Sequence, residues 1–194
     1  MTTSQPPAIK RLMREIREYA REPNDALLHL GPVHDDELLQ WEAVLKGVRG
    51  SPYEGGLWLL SISIPPTYPL TPPKIKFLTP ICHPNIDFRT GDICLSLLGP
   101  ASSLAPPTSA SSPSTSSSSA AGGWTPAYTI SSCMSAIQQL LTDPGLDSPL
   151  NVDVANLYRK GDAMGAEGLV RFFTAECRWV PQQGQMQGGR GRGR

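Results

Sequence analysis

The chain has 194 residues, with 17 basic and 17 acidic side chains and a formal net charge of zero. That length suits one domain whose core can stand without crosslinks, and the charge balance excludes a global electrostatic grip on nucleic acid or on an anionic membrane surface. Residues 93–142 carry no charge, but proline, glycine and serine interrupt them, and the best apolar piece, Tyr128–Leu141, is 14 residues long against the ~20 that a bilayer requires. No direct membrane insertion is expected.

Pro7 stands where a proline is tolerated, at a helix start. Ile9, Leu12, Met13, Ile16 and Tyr19 follow at helical spacing and predict an amphipathic helix with that face toward a core. Lys10, Arg11, Arg14, Arg17 and Arg21, with Glu15, Glu18 and Glu22 between them, are assigned to its outer face, which on chemistry alone is a solvated surface with i,i+4 pairs. Four strands are predicted next: a short one over His29–Val33, then Leu38–Val48, Leu57–Ile64 and Lys74–Leu78. The third alternates Trp58, Leu60, Ile62 and Ile64 against Leu57, Leu59, Ser61 and Ser63. The turn Gly50–Gly56 joins the second and third as an antiparallel hairpin. The proline-punctuated passage Pro65–Pro73 cannot donate to a ladder and is expected as a rigid connection.

Beyond residue 80 the strand pattern stops. Residues 81–98 predict an ordered irregular stretch. Residues 99–123, a run of Ser, Ala, Pro and Gly, have nothing to offset the entropy of ordering and are expected to be disordered. Helices are predicted over Ala127–Leu141, Val152–Lys160 and Asp162–Trp179, the last with Ala166, Leu169, Val170, Phe173 and Cys177 on one face. The tail, 181–194, ends in GGRGRGR and is expected to be a solvated end. Strands followed by helices indicate an α+β domain over 7–180, with an N-terminal helix, a four-stranded antiparallel sheet and three C-terminal helices.

The four cysteines, Cys82, Cys94, Cys133 and Cys177, form no CxxC pair and no zinc-ligand spacing, so no metal is expected. The first twenty residues hold no apolar run of the secretory kind. Reduced thiols in a cytosolic or nuclear compartment are the expectation, with a Cys82–Cys133 bridge left open.

The irregular stretch is where chemistry is sought, because ordered loops on a rigid scaffold hold most sites. It contains Cys94 in the phrase Gly-Asp-Ile-Cys-Leu, with His83-Pro84-Asn85 preceding it. A lone cysteine is most often a small buried hydrophobe. A cysteine–histidine protease would draw its base from His29, His34 or His83, yet no protease signature surrounds Cys94.

The combination HPNIDFRTGDICLSLL (83–98) resembles the active-site signature of ubiquitin-conjugating enzymes. The resemblance extends to TYPLTPPKIKF before it, and to WTPAYTI (124–130) and LTDPGLDSPLN (141–151) after it. It covers about 7–180 apart from the insertion at 99–123. It implies an acyltransferase in which Cys94 takes ubiquitin as a glycyl thioester from an activating enzyme. ATP is used upstream by that enzyme, so no bound cofactor is expected. Asn85 is implied either as a donor to the oxyanion of the tetrahedral intermediate or as a pin for the loop, and His83 and Pro84 as structural. Many relatives carry Asp where this chain has Ser96. The slot before Pro-Leu holds Ser148 with Asp147 adjacent, so these two stand on the acceptor side. By resemblance Lys10, Arg11 and Arg14 should meet the activating enzyme, and Leu70, Pro126 and Ala127 a RING-type ligase. The Asn-to-Cys spacing, TGDICL and SPLNVDVANLYRKGD look most like the peroxisome-biogenesis conjugating enzymes of fungi. That implies work on the matrix-protein import receptor at the cytosolic face of the peroxisome, through a membrane anchor protein. A general conjugating enzyme, or a carrier of another ubiquitin-like modifier, is the alternative.

Overall fold

The computed structural model describes residues 6–95 and 123–180. Its first helix, α1 (Pro7–Arg21), has Pro at its first position, where the missing N–H is one no helix could satisfy. Ala8 and Leu12 are buried, and Ile16 and Tyr19 pack against the core from its margin. Glu15 departs from expectation: it is turned inward, 5% exposed, rather than lying among the outer-face charges. At 100° per residue, positions 8, 12 and 15 form one stripe, and Glu15 occupies it because partners distant in sequence satisfy its carboxylate.

The sheet runs β1 (Leu27–Pro32), β2 (Gln40–Lys46), β3 (Leu57–Ser63) and β4 (Lys74–Phe77) in that spatial order, each pair antiparallel. β1 begins two residues earlier than expected and carries an irregularity between Leu27 and His29. It is an edge strand, so Pro32 at its end removes no interior ladder bond. β3 alternates as the sequence predicts, with Trp58, Leu60 and Ile62 buried; each contributes ~2 kcal/mol by leaving water.

Three helices follow: α2 (Ile130–Thr142), α3 (Val152–Arg159) and α4 (Ala163–Glu176). α2 begins three residues later than expected because Thr129 caps it. The Thr129 hydroxyl accepts from the Ser132 N–H at 3.1 Å, and the Ser132 hydroxyl from the Thr129 N–H at 2.9 Å. Reciprocal bonds of this kind satisfy two donors that a bare terminus would leave open. α2 buries Ile130, Cys133, Met134, Ile137 and Leu141. Asp162 caps the start of α4, and the helix ends at Glu176 with Cys177 as its C-cap, short of Trp179, whose N–H instead donates to the Leu57 carbonyl at the start of β3. Most of the 99–123 insertion and the whole 181–194 tail lie outside the described residues, as does Ser96. No helix among the described residues is long and apolar enough to cross a membrane.

Candidate active site around Cys94

The segment 81–95 leaves β4 and folds back on itself. Residues 81–86 are buried, and Ile86 bridges both His83 and Ile93. His83 fixes this fold from inside. It lies within 2.9 Å of the Leu140 carbonyl through Nε2, and its Nδ1 accepts the Asn85 N–H at 2.9 Å. A carbonyl partner requires a proton on Nε2 and an N–H partner requires a bare Nδ1, so the ring is the neutral Nε2–H tautomer. Burial pushes its pKa down to about 4, against a smaller upward pull from the Leu140 carbonyl. A neutral, fully engaged imidazole is a structural brace, as the sequence implied, and has no free nitrogen for base catalysis.

A tight turn then presents the cysteine. Asp87 Oδ1 accepts the N–H groups of Arg89 and Thr90 at 2.8 and 2.7 Å, and these bonds hold its carboxyl below the usual range. Asp92 pairs with Lys76 of β4 at 2.8 Å, and Phe77 N–H donates to the Gly91 carbonyl at 3.0 Å. The turn is thereby stapled to the sheet. Gly91 is required there: its φ is +69°, and a Cβ would sit 1.9 Å from the Phe77 carbonyl oxygen. Cys94 emerges exposed, its N–H bound to the Asn85 carbonyl at 2.9 Å.

Asn85 itself is buried, and both ends of its amide are engaged by Gly145. Nδ2 donates to the Gly145 carbonyl at 2.5 Å, and Oδ1 accepts the Gly145 N–H at 2.9 Å. The Pro84 carbonyl accepts from Leu150 and Asn151 at 2.8 and 2.9 Å, and Arg159 at the end of α3 donates to the Leu146 carbonyl. Loop 143–151 is thus moored to the cysteine segment, and Asp147 and Ser148 stand on it, both exposed. The structure brings together Cys94, Asn85 and this loop: an accessible thiol on a hydrogen-bonded turn, beside an amide with one N–H left over. That arrangement suits acyl transfer to and from sulfur.

The family model for ubiquitin-conjugating enzymes matches residues 11–170. The chain belongs to the ubiquitin-conjugating enzyme family. Among relatives, the "Ubiquitin-conjugating enzyme E2 PEX4" of Gibberella zeae is 44% identical over 87% of each chain. Its namesake in Dictyostelium discoideum is 42% identical, over 84% of this chain and 95% of its own. The Arabidopsis thaliana "Protein PEROXIN-4" is 38% identical, over 84% and 90%. Among solved structures, a ubiquitin conjugating enzyme from Plasmodium yoelii superposes with a TM-score of 0.72 at 32% identity, covering 93% of this chain and all of its own.

A ubiquitin-conjugating enzyme must also meet partners, and the residues implied for that fall in two places. On α1, Lys10 and Arg14 are exposed. Arg11 is not: its side chain is 13% exposed, bound to Glu15 at 2.6 Å and donating to the Tyr128 carbonyl at 2.8 Å. Leu70 is 77% exposed, and Pro126 and Ala127 are exposed on an adjoining loop. The Trp124 indole N–H ties those loops by donating to the Pro69 carbonyl at 2.7 Å. Sequence reasoning missed Arg159 and the inward pair Arg11–Glu15. For Glu15 a signal exists in the stripe it shares with Ala8 and Leu12; for Arg159 none does. Cys82 and Cys133 are free buried thiols. Among the described residues no cluster of His, Cys, Asp and Glu is placed to hold a metal ion.

Proposed function

We propose that this ubiquitin-conjugating enzyme carries ubiquitin as a thioester on Cys94 and passes it, with a RING-type ligase, to a peroxisomal protein. The Cys94 thiolate attacks the thioester carbonyl of ubiquitin's C-terminal glycine on the activating enzyme. One S–C bond forms as another breaks, and the activating enzyme leaves as its own thiolate. ATP is used in that earlier activation, so this chain needs no bound cofactor. A lysine amine then attacks the carbonyl on Cys94, the second N–H of Asn85 faces the developing oxyanion, and Cys94 departs as thiolate. The amine's proton leaves to solvent or to the Asp147 carboxylate. The single observation carrying this reading is the exposed thiol of Cys94 on a turn braced by His83, Asn85 and the Lys76–Asp92 pair.

The peroxisomal assignment rests on the relatives' names, PEX4 and PEROXIN-4. With it go the import receptor as substrate, the cytosolic face of the organelle as workplace, and a membrane anchor protein as recruiter. Lys10 and Arg14 serve the activating enzyme; Leu70, Pro126 and Ala127 serve the ligase.

The test is a loading assay with ubiquitin, ATP and activating enzyme. Wild type should form an adduct cleaved by reductant, Cys94→Ser an oxyester that resists it, and Cys94→Ala none. An adduct surviving in Cys94→Ala would sink the assignment. Parallel reactions with other ubiquitin-like modifiers identify the cargo, and the absence of any peroxisomal fraction in cells would leave a general conjugating enzyme.

A further inference from the structure

We propose that Glu15, with Arg11 and Tyr68, is a positioning group that sets the two loops carrying Leu70, Pro126 and Ala127 for the ligase. The proposal rests on reading those loops as the ligase-facing surface. Glu15 Oε1 accepts from Arg11 Nε and from the Tyr68 hydroxyl, both at 2.6 Å, and Oε2 accepts the Ile130 N–H at 2.9 Å. Arg11 continues to the Tyr128 carbonyl. Apart from the Arg11 link within α1, the bonds end at two places: on Tyr68, in the passage before β4, and on Tyr128 and Ile130, where the second loop runs into the first residue of α2.

A carboxylate is a costly way to fill a core position. Removing it from water is expensive unless the charge is paired and its lone pairs are filled, and apolar packing of similar volume often does as well or better for stability. Ala8 and Leu12, on the same stripe, fill their positions with carbon. What the carboxylate adds is direction: three donors from separate segments converge on two oxygens, which fixes those segments relative to one another. The Ile130 contact also puts negative charge at a helix N-terminus, where it is favoured. Trp124 completes the clamp, with its N–H on Pro69 and its ring 6.0 Å from Tyr68 and 5.9 Å from Tyr128. The outer parts of the loops are exposed while their inner ends are locked, the arrangement of a preorganised binding surface.

One consequence follows for α1. Its exposed cations Lys10 and Arg14 and its inward pair Arg11–Glu15 lie about 100° apart around the same turns, so the helix serves two partners from two neighbouring faces.

The test uses the full chain with Tyr68→Phe, which keeps the ring and removes one link, and Glu15→Gln, which keeps the shape and removes the charge. Two amides report loop order: Leu70 N–H, bound to the Thr67 carbonyl, and Tyr128 N–H, bound to the Thr125 carbonyl. Their hydrogen exchange should quicken at least tenfold in both variants, while Val44 in β2 exchanges as in wild type. With ubiquitin thioester formed beforehand and the RING domain of a ligase that stimulates wild type, the half-saturating RING concentration should rise about tenfold. The discharge rate at saturating RING should stay within twofold. Loops that exchange as in wild type overturn the proposal, as does an unchanged half-saturating concentration in variants whose loops have loosened. A wild-type protein that forms no thioester overturns the carrier reading beneath it, and the loading step distinguishes that failure from the others.

Discussion

Replacing Asn85 by Ala removes both bonds that moor loop 143–151 at Gly145. Each such bond is worth about 1 kcal/mol net. Gly145 is exposed, so its freed N–H and carbonyl find water and add no penalty for buried, unsatisfied groups. A loss of about 2 kcal/mol is expected. For a domain of this size, each kcal/mol shifts the midpoint by roughly 2–4 °C, so Tm should fall by about 4–8 °C, read by thermal melting. The second amide proton makes a separate prediction. If it reaches the oxyanion, single-turnover discharge to free lysine, measured well below the variant's Tm, should slow by about 10²–10³, while loading suffers less. A variant that melts with wild type refutes the mooring. A discharge deficit no larger than the loading deficit refutes the oxyanion role and leaves Asn85 a pin.

Gly91→Ala must force a Cβ into the Phe77 carbonyl at positive φ; a cost of about 2 kcal/mol or more in urea unfolding, with impaired Cys94 loading, is expected. His83 is held neutral in the fold, its pKa lowered to about 4 from 6.5. The unfolded chain therefore takes up the proton first as pH falls, and about 3 kcal/mol of stability should drain away between pH 6.5 and 4. His83→Gln, less stable at pH 7, should lose less over that window in urea titrations. Deleting residues 101–121 leaves eight residues between Cys94 and Trp124 in place of 29, a gain of about 1.1 kcal/mol in loop entropy; melting and loading should both survive, and a collapse of Tm would show the insertion to be part of the fold.

Much of the fold is legible in the sequence because its signals are local. The alternation of β3 and the proline-marked gap before β4 each depend on neighbours a few residues apart, and the strand and helix order follows. The site's backbone is legible for another reason: the His-Pro-Asn and Ile-Cys-Leu phrases resemble a known family closely enough to transfer Cys94 and Asn85. What stays hidden depends on distant partners. The stripe with Ala8 and Leu12 turns residue 15 inward, but its charge outweighs that signal because nothing nearby announces that Tyr68 and Ile130 will solvate the carboxylate, and it reads as surface, Arg11 with it. The late start of α2 turns on the Thr129–Ser132 exchange, which a periodicity count does not see. Arg159 holds the loop by a bond to a main-chain carbonyl, and main-chain acceptors have no sequence signature.

The contrast between the thiols has a consequence for fidelity. Exchange of an acyl group between two cysteines is nearly thermoneutral, so under the proposed thioester mechanism any second reactive sulfur within reach of Cys94 would draw the acyl group away from it. Burial raises the Cys82 thiol to about 11 and the Cys133 thiol to about 12, so neither is a thiolate near neutral pH, and both are walled off by the core. On the proposed mechanism neither thiol competes with Cys94 for the acyl group, although Cys82 lies only twelve residues upstream. The same quarantine should let a mild electrophile at neutral pH title Cys94 while leaving Cys82 and Cys133 untouched in the folded protein.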